Sequence, residues 1–90
     1  MVADSNVLSN VVVGSGETST FMNGTIVGLT VQNGGSFTNL ATVSNVTDQG
    51  SFENLGSAQN AVVESGGSFQ NTATVTSVTV QGSGGFYNIA

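Results

Sequence analysis

Apolar and polar positions alternate in short runs along the chain, and the runs recur. In the fullest copy Phe69, Asn71, Ala73 and Val75 alternate with Gln70, Thr72 and Thr74, and after Thr76-Ser77 the residues Val78 and Val80 flank Thr79. The order F-x-N-x-A-x-V-x-x-V-x-V also runs through Phe37, Asn39, Ala41, Val43 and Val46-Thr47-Asp48, and through Phe52, Asn54, Gly56, Ala58 and Ala61-Val62-Val63. Every Phe heads a Phe-x-Asn triplet, at Phe21, Phe37, Phe52, Phe69 and Phe86, with spacings of 16, 15, 17 and 17 residues. The first copy reads one residue short, because Gly28 alone stands where the others have a dipeptide. Gly/Ser-rich turns separate the copies, at Gln32–Ser36, Gln49–Ser51, Glu64–Ser68 and Gln81–Gly85.

Period-2 alternation inside so short a repeat predicts two strands per copy, each with one face inward. One such pair cannot close a core, whereas stacked copies can. The predicted fold is therefore all-β: a parallel β-solenoid (β-helix) of about five 15–17-residue rungs, two short strands per rung, with rungs about 4.8 Å apart. Phe21, Phe37, Phe52, Phe69 and Phe86 form one expected internal ladder. Asn23, Asn39, Asn54, Asn71 and Asn88 share its face and form a second, of stacked amides that satisfy one another along the axis.

The predicted organisation is an N-terminal arm over residues 1–10 and a solenoid over 11–90. In this scheme Phe86, Tyr87, Asn88, Ile89 and Ala90 are the first strand of an unfinished rung, and Val11, Val12 and Val13 are a second strand without a first. Together these eight residues are the expected polymerisation interface. The last strand of one molecule and Val11–Val13 of the next would complete a rung. Neither end carries a Pro, a Lys or a polar cap, and an open β edge templates association. Head-to-tail addition of this kind is heterologous and generates a filament.

Composition narrows the function. The chain has no Lys, Arg, His, Cys or Pro and carries five acids, a net charge of −5. Nothing neutralises phosphate, so nucleic acid is not an expected partner. No apolar run approaches the length of a membrane span, so no membrane insertion is expected. Neither a disulfide framework nor a His/Cys metal site is available, and no cofactor or metal is expected. The candidates for chemistry are Asp4, Glu17, Asp48, Glu53, Glu64 and Tyr87. Asp48 and Glu64 occupy nearly equivalent repeat positions, where a carboxylate dyad or a shared Ca²⁺ would need them one rung apart. Solvated acids at strand ends that keep the subunit soluble are the favoured reading, and no enzyme activity is expected. Outward Thr residues (Thr30, Thr47 and Thr79; Thr42 and Thr74) are too interrupted for an ice-binding face. Outward Leu40, Leu55 and Ile89, with Met22 and Tyr87 nearby, are candidates for a stripe that bundles filaments.

The stretches Ser77-Val78-Thr79-Val80-Gln81 with Gly85–Ala90, and Thr30-Val31-Gln32 with Phe37-Thr38-Asn39-Leu40-Ala41, resemble the curlin repeat of bacterial curli fibres, whose pattern is S-x5-Q-x-G-x2-N-x-A. The repeats here are several residues shorter, carry a turn between Gln and Phe, and lack the second regular Gln. The resemblance implies a secreted, self-assembling amyloid subunit of the biofilm matrix at the bacterial surface. Its principal partner is itself, and a secretion or nucleator protein is the further partner implied. The alternative is a binding module, the excised stalk of a surface adhesin.

Overall fold

A computed structural model describes residues 7–89, and these form ten strands and no helix. Seven-residue strands alternate with four-residue strands: β1 (Val7–Val13), β2 (Thr18–Phe21), β3 (Thr25–Val31), β4 (Ser36–Asn39), β5 (Thr42–Asp48), β6 (Ser51–Asn54), β7 (Ser57–Val63), β8 (Ser68–Asn71), β9 (Thr74–Val80) and β10 (Gly85–Asn88). The long strands make one five-stranded parallel sheet and the short strands the other, in chain order along the axis. This is the predicted parallel β-solenoid, with one long and one short strand per rung.

Each rung supplies the inward residues of both sheets. The buried apolar set is Val, Ile, Leu and Ala from the long strands and Phe from the short ones, and Phe52, Phe69, Val31, Val43 and Val63 are all at most 1% exposed. Ring centroids in the Phe column are 5.4 Å apart for Phe37–Phe52, 4.6 Å for Phe52–Phe69 and 5.5 Å for Phe69–Phe86. The rung spacing of a parallel sheet is close to the spacing of stacked rings, so the sheet itself enforces the aromatic contacts.

The strand divisions differ from the expected ones. From Asn39 onward the break falls directly after each Asn rather than after the Val that precedes the dipeptide, and the dipeptide corner lies inside the long strand. Its pivot is one residue with φ between 54° and 85° in every copy: Asn10, Gly28, Asn45, Asn60 and Ser77. That residue shifts the alternation by one, so Val43, Val46 and Asp48 point inward within a single strand. Asn and Gly tolerate this left-handed backbone at the least cost, which accounts for four of the five pivots.

The first rung also departs from expectation. Its corner holds three residues, Met22, Asn23 and Gly24, where later corners hold two. Ahead of it, four-residue turns before both β2 and β4 pair Ser19 with Phe37 and Phe21 with Asn39. Phe21 stands in the Asn column rather than the Phe column, and Asn23 is an exposed corner residue outside the internal ladder. Gly28 is the ordinary pivot rather than a deletion, and Ile26 is buried where Val27 is exposed. Residues Val7–Asn10 of the stretch assigned to the arm belong to β1, with Leu8 packed against the core. Residues 1–6 of that arm lie outside the described residues.

Truncating the middle of the aromatic column tests the packing. Phe52→Ala is expected to cost about 3–5 kcal/mol, the usual range for a buried Phe. That is a large part of the ~5–15 kcal/mol stability of a small domain. Urea unfolding of the wild type and the variant, followed by circular dichroism, measures it.

Candidate functional site: the two ends of the solenoid

The column of amides fixes what each end presents. Asn39, Asn54 and Asn71 are at most 2% exposed. Their Nδ2 groups donate to the Oδ1 of the next rung: Asn39 to Asn54 at 2.9 Å, Asn54 to Asn71 at 2.8 Å and Asn71 to Asn88 at 2.9 Å. The same Nδ2 groups reach backbone carbonyls, as Asn54 does to Gly56 at 3.3 Å and to Thr74 at 2.7 Å. Oδ1 accepts the backbone N–H two residues on, Ala41, Gly56 or Ala73, and this fixes which way each amide faces. The ladder is therefore polar along the axis. Its donors point toward the C-terminal end, where Asn88 is exposed with its Oδ1 already engaged. At the other end Phe21 takes the amide's place.

Among the described residues no strand pairs with the outer side of either sheet's end strands. β1 and β2 are the outer strands at one end, β9 and β10 at the other, and none of the four contains a charged residue. Val11, Val12 and Val13 lie in β1 and so belong to the N-terminal end. Phe86, Tyr87 and Asn88 lie in β10 at the opposite end, with Ile89 following, and Ala90 is outside the described residues.

Among the described residues β10 is followed by no long strand and β1 is preceded by no short one, which is the expected pairing of ends; counted from β1, the same ten strands make five rungs. β10 closes a rung with β9 of its own chain, and Val11–Val13 close one with β2. A neighbour that continued the coil would set β9 against β1 and β10 against β2. Val7–Asn10, β2 and β9 thus belong to the ends and were missed. The four-residue turns Gly14–Glu17 and Gln32–Gly35 carried the signal, because aligning them puts Ser19 under Phe37.

At the N-terminal end a cavity of about 240 Å³ opens beside Ser19. Leu8, Val11, Phe21, Ile26 and Phe37 wall it. Met22, Leu40, Leu55 and Ile89 are 60%, 43%, 40% and 61% exposed, and each directly follows a short strand, so they line one corner of the solenoid.

The acids are not arranged as expected. Glu64 is outward and its Oε1 accepts from Gln49 Nε2 at 2.7 Å. Asp48 is fully buried in a column with Val31 and Val63, which removes it from the solvated set. The structure does not bring the two carboxylates together as a pair. Asp48 Oδ1 accepts the Gly50 N–H at 3.1 Å, while Oδ2 has no partner. That contact closes the two-residue turn Gln49-Gly50, and a Cβ on Gly50 would lie 2.3 Å from the Gln32 carbonyl oxygen. Burial raises the Asp48 carboxyl from 3.8 to about 7, against the opposing pull of the Gly50 and Ser68 backbone N–H groups.

No cluster of three or more metal-ligating side chains occurs among the described residues. No helix there is long and apolar enough to cross a membrane. No family model, curated protein or solved structure matches the chain.

Asp48 makes stability depend on pH, with a definite sign. A carboxyl whose pKa is higher folded than unfolded stabilises the fold fully below its unfolded value, and that contribution is lost as pH rises through the folded one. The wild type is thus expected to lose stability between pH 4 and pH 7. Asp48→Asn, which retains an acceptor for Gly50, is expected to flatten that dependence. Urea midpoints at pH 4 and pH 8 read both.

Proposed function

We propose that this chain is a self-assembling structural subunit, polymerising head to tail into an extracellular, curli-like filament of the biofilm matrix. The observation that carries this reading is the match between the ends. Both are uncharged two-strand parallel edges of the same dimensions, a seven-residue and a four-residue strand joined by a four-residue turn. The β9/β10 end of one copy meets the β1/β2 end of the next, so that each junction is one further rung step. Backbone groups unpaired at both edges gain partners at once, which is the driving force that open β edges offer. The likeness of Ser77–Gln81 with Gly85–Ala90, and of Thr30–Gln32 with Phe37–Ala41, to the curlin repeat supports the extracellular setting, and the apolar corner offers a surface for bundling.

The same open ends fit a stalk segment of a surface adhesin, whose outer strands would pair with flanking repeats. The two readings separate on whether the isolated chain elongates.

Thr20 and Tyr87 are exposed and occupy one outward column, through Thr20↔Thr38 and Gln70↔Tyr87. In a head-to-tail stack Tyr87 of one copy lies about 4.8 Å from Thr20 of the next, within the span of a disulfide. The chain has no cysteine of its own. Thr20→Cys/Tyr87→Cys is expected to give a reducible ladder of covalent oligomers on oxidation, and each single variant nothing beyond a dimer. Electron cryo-microscopy of the wild type is expected to show filaments with a subunit rise near 24 Å, five rungs of about 4.8 Å. Monodisperse particles and an absent ladder would overturn the filament and favour the stalk.

A further inference from the structure

One column of the solenoid is hollow at its first rung and bears a ring at its last. Phe37, Phe52, Phe69 and Phe86 fill that column in the second to fifth rungs, and Ser19 occupies it in the first. The cavity of about 240 Å³ lies beside Ser19, with the Phe37 side chain on its inner wall. An apolar cavity of about 150 Å³ is enough to hold a benzene molecule, so this one has room for a phenyl group. At the opposite end Phe86 is half-buried, and its ring is tilted 48° from Phe69, whereas Phe52 and Phe69, with a ring on either side, lie within 12° of parallel. The outermost ring thus lacks the covering neighbour that flattens the stack inside.

We infer that the hollow beside Ser19 receives the Phe86 ring of a second copy of this chain, making each junction a knob-and-hole contact of fixed polarity. This rests on the filament reading and names the group that joins the ends.

Other junctions lack this complementarity. Two N-terminal ends together would trap two unfilled hollows and lose dispersion contacts around both. Two C-terminal ends would oppose two rings and set the donors of one Asn88 against those of the other. In the polar junction Asn88 meets Phe21 instead of an amide. It keeps a backbone acceptor by the interior pattern: Asn54 donates to the Thr74 carbonyl, at the start of the long strand that follows the next short strand, and the corresponding carbonyl in the following copy is that of Thr25. Among the described residues no charged side chain lies in the four end strands. Glu17, the acid of the first rung, lies in its turn and is engaged by the Gly14 N–H at 2.8 Å.

The test is the elongation rate of full-length chain from preformed seeds, with circular dichroism of the freshly diluted chain as the check on folding. Ser19→Phe fills the hollow from within and is expected to slow elongation at least tenfold. Phe86→Ala removes the knob and is expected to slow it comparably. The double variant Ser19→Phe/Phe86→Ala returns one ring to the column at each junction and is expected to recover much of the rate.

If the wild type elongates and Ser19→Phe keeps pace with it, the hollow is not the receptor and the inference falls, while the filament stands. Seating of the chain's own residues 1–6 in the hollow predicts that same result. Should Ser19→Phe lose the β-sheet spectrum, Phe86→Ala decides, and a rate within twofold of the wild type overturns the inference. A wild type that forms no filaments refutes the filament reading itself.

Discussion

Satisfying the buried amides is the constraint from which the register of the whole solenoid follows. A side-chain amide taken out of water without partners costs several kcal/mol on most scales. Asn39, Asn54 and Asn71 avoid that cost because each finds the next amide one rung away. A slip of one residue in any short strand would turn the amide outward and bring a polar neighbour such as Gln70 into the Phe column. The aromatic column alone would specify register less sharply, since a ring tolerates sliding and a hydrogen bond at 2.8 Å does not. Phe and Asn two residues apart therefore divide the task, the ring supplying apolar burial and the amide supplying registry.

Against this background the third rung stands out. Its turn is two residues long where the others are four, and the inward position before it is Asp48 rather than an apolar residue. The two departures are one. Oδ1 of Asp48 holds the Gly50 N–H in the tight turn, and the backbone of the preceding rung leaves no space for a side chain at Gly50. A valine there would suit the column but could not accept the bond. The second oxygen, buried and unpartnered, is the cost of that arrangement, and it makes the centre of the solenoid sensitive to proton concentration.

How far the sequence discloses this structure depends on where along the chain one looks. From Phe37 to Asn88 the triplets share one frame, because each corner from Asn39 onward holds two residues, and the spacing of Phe and Asn places the rungs correctly. In the first copy the triplet Phe21-Met22-Asn23 is present in sequence but lies two positions out of frame, with Phe21 in the Asn column and Asn23 in the corner. Turn length, a weaker signal than an aromatic triplet, was the better guide there. Asp48 was misplaced for a related reason. Its charge argued for solvent, while its repeat position, shared with Val31 and Val63, argued for the core, and position prevailed. The strand divisions were hidden by the left-handed pivots, which invert the phase of the alternation mid-strand and mimic a break.

The departures at the two ends bear on assembly more than the regular middle does. If all rungs were identical, a stack of copies would have no marked junction, and each copy could join or part wherever the ladder was weakest. Here the first rung replaces ring by serine and amide by ring, while the last retains both. The column contacts across a junction therefore differ from those inside a subunit: the amide bond is absent, and the ring contact depends on a hollow being filled. Such a boundary is weaker than an interior rung step, so a filament built this way parts between subunits before any subunit unravels. In the filament proposed above, growth by whole folded subunits would then follow from the sequence differences of a single rung.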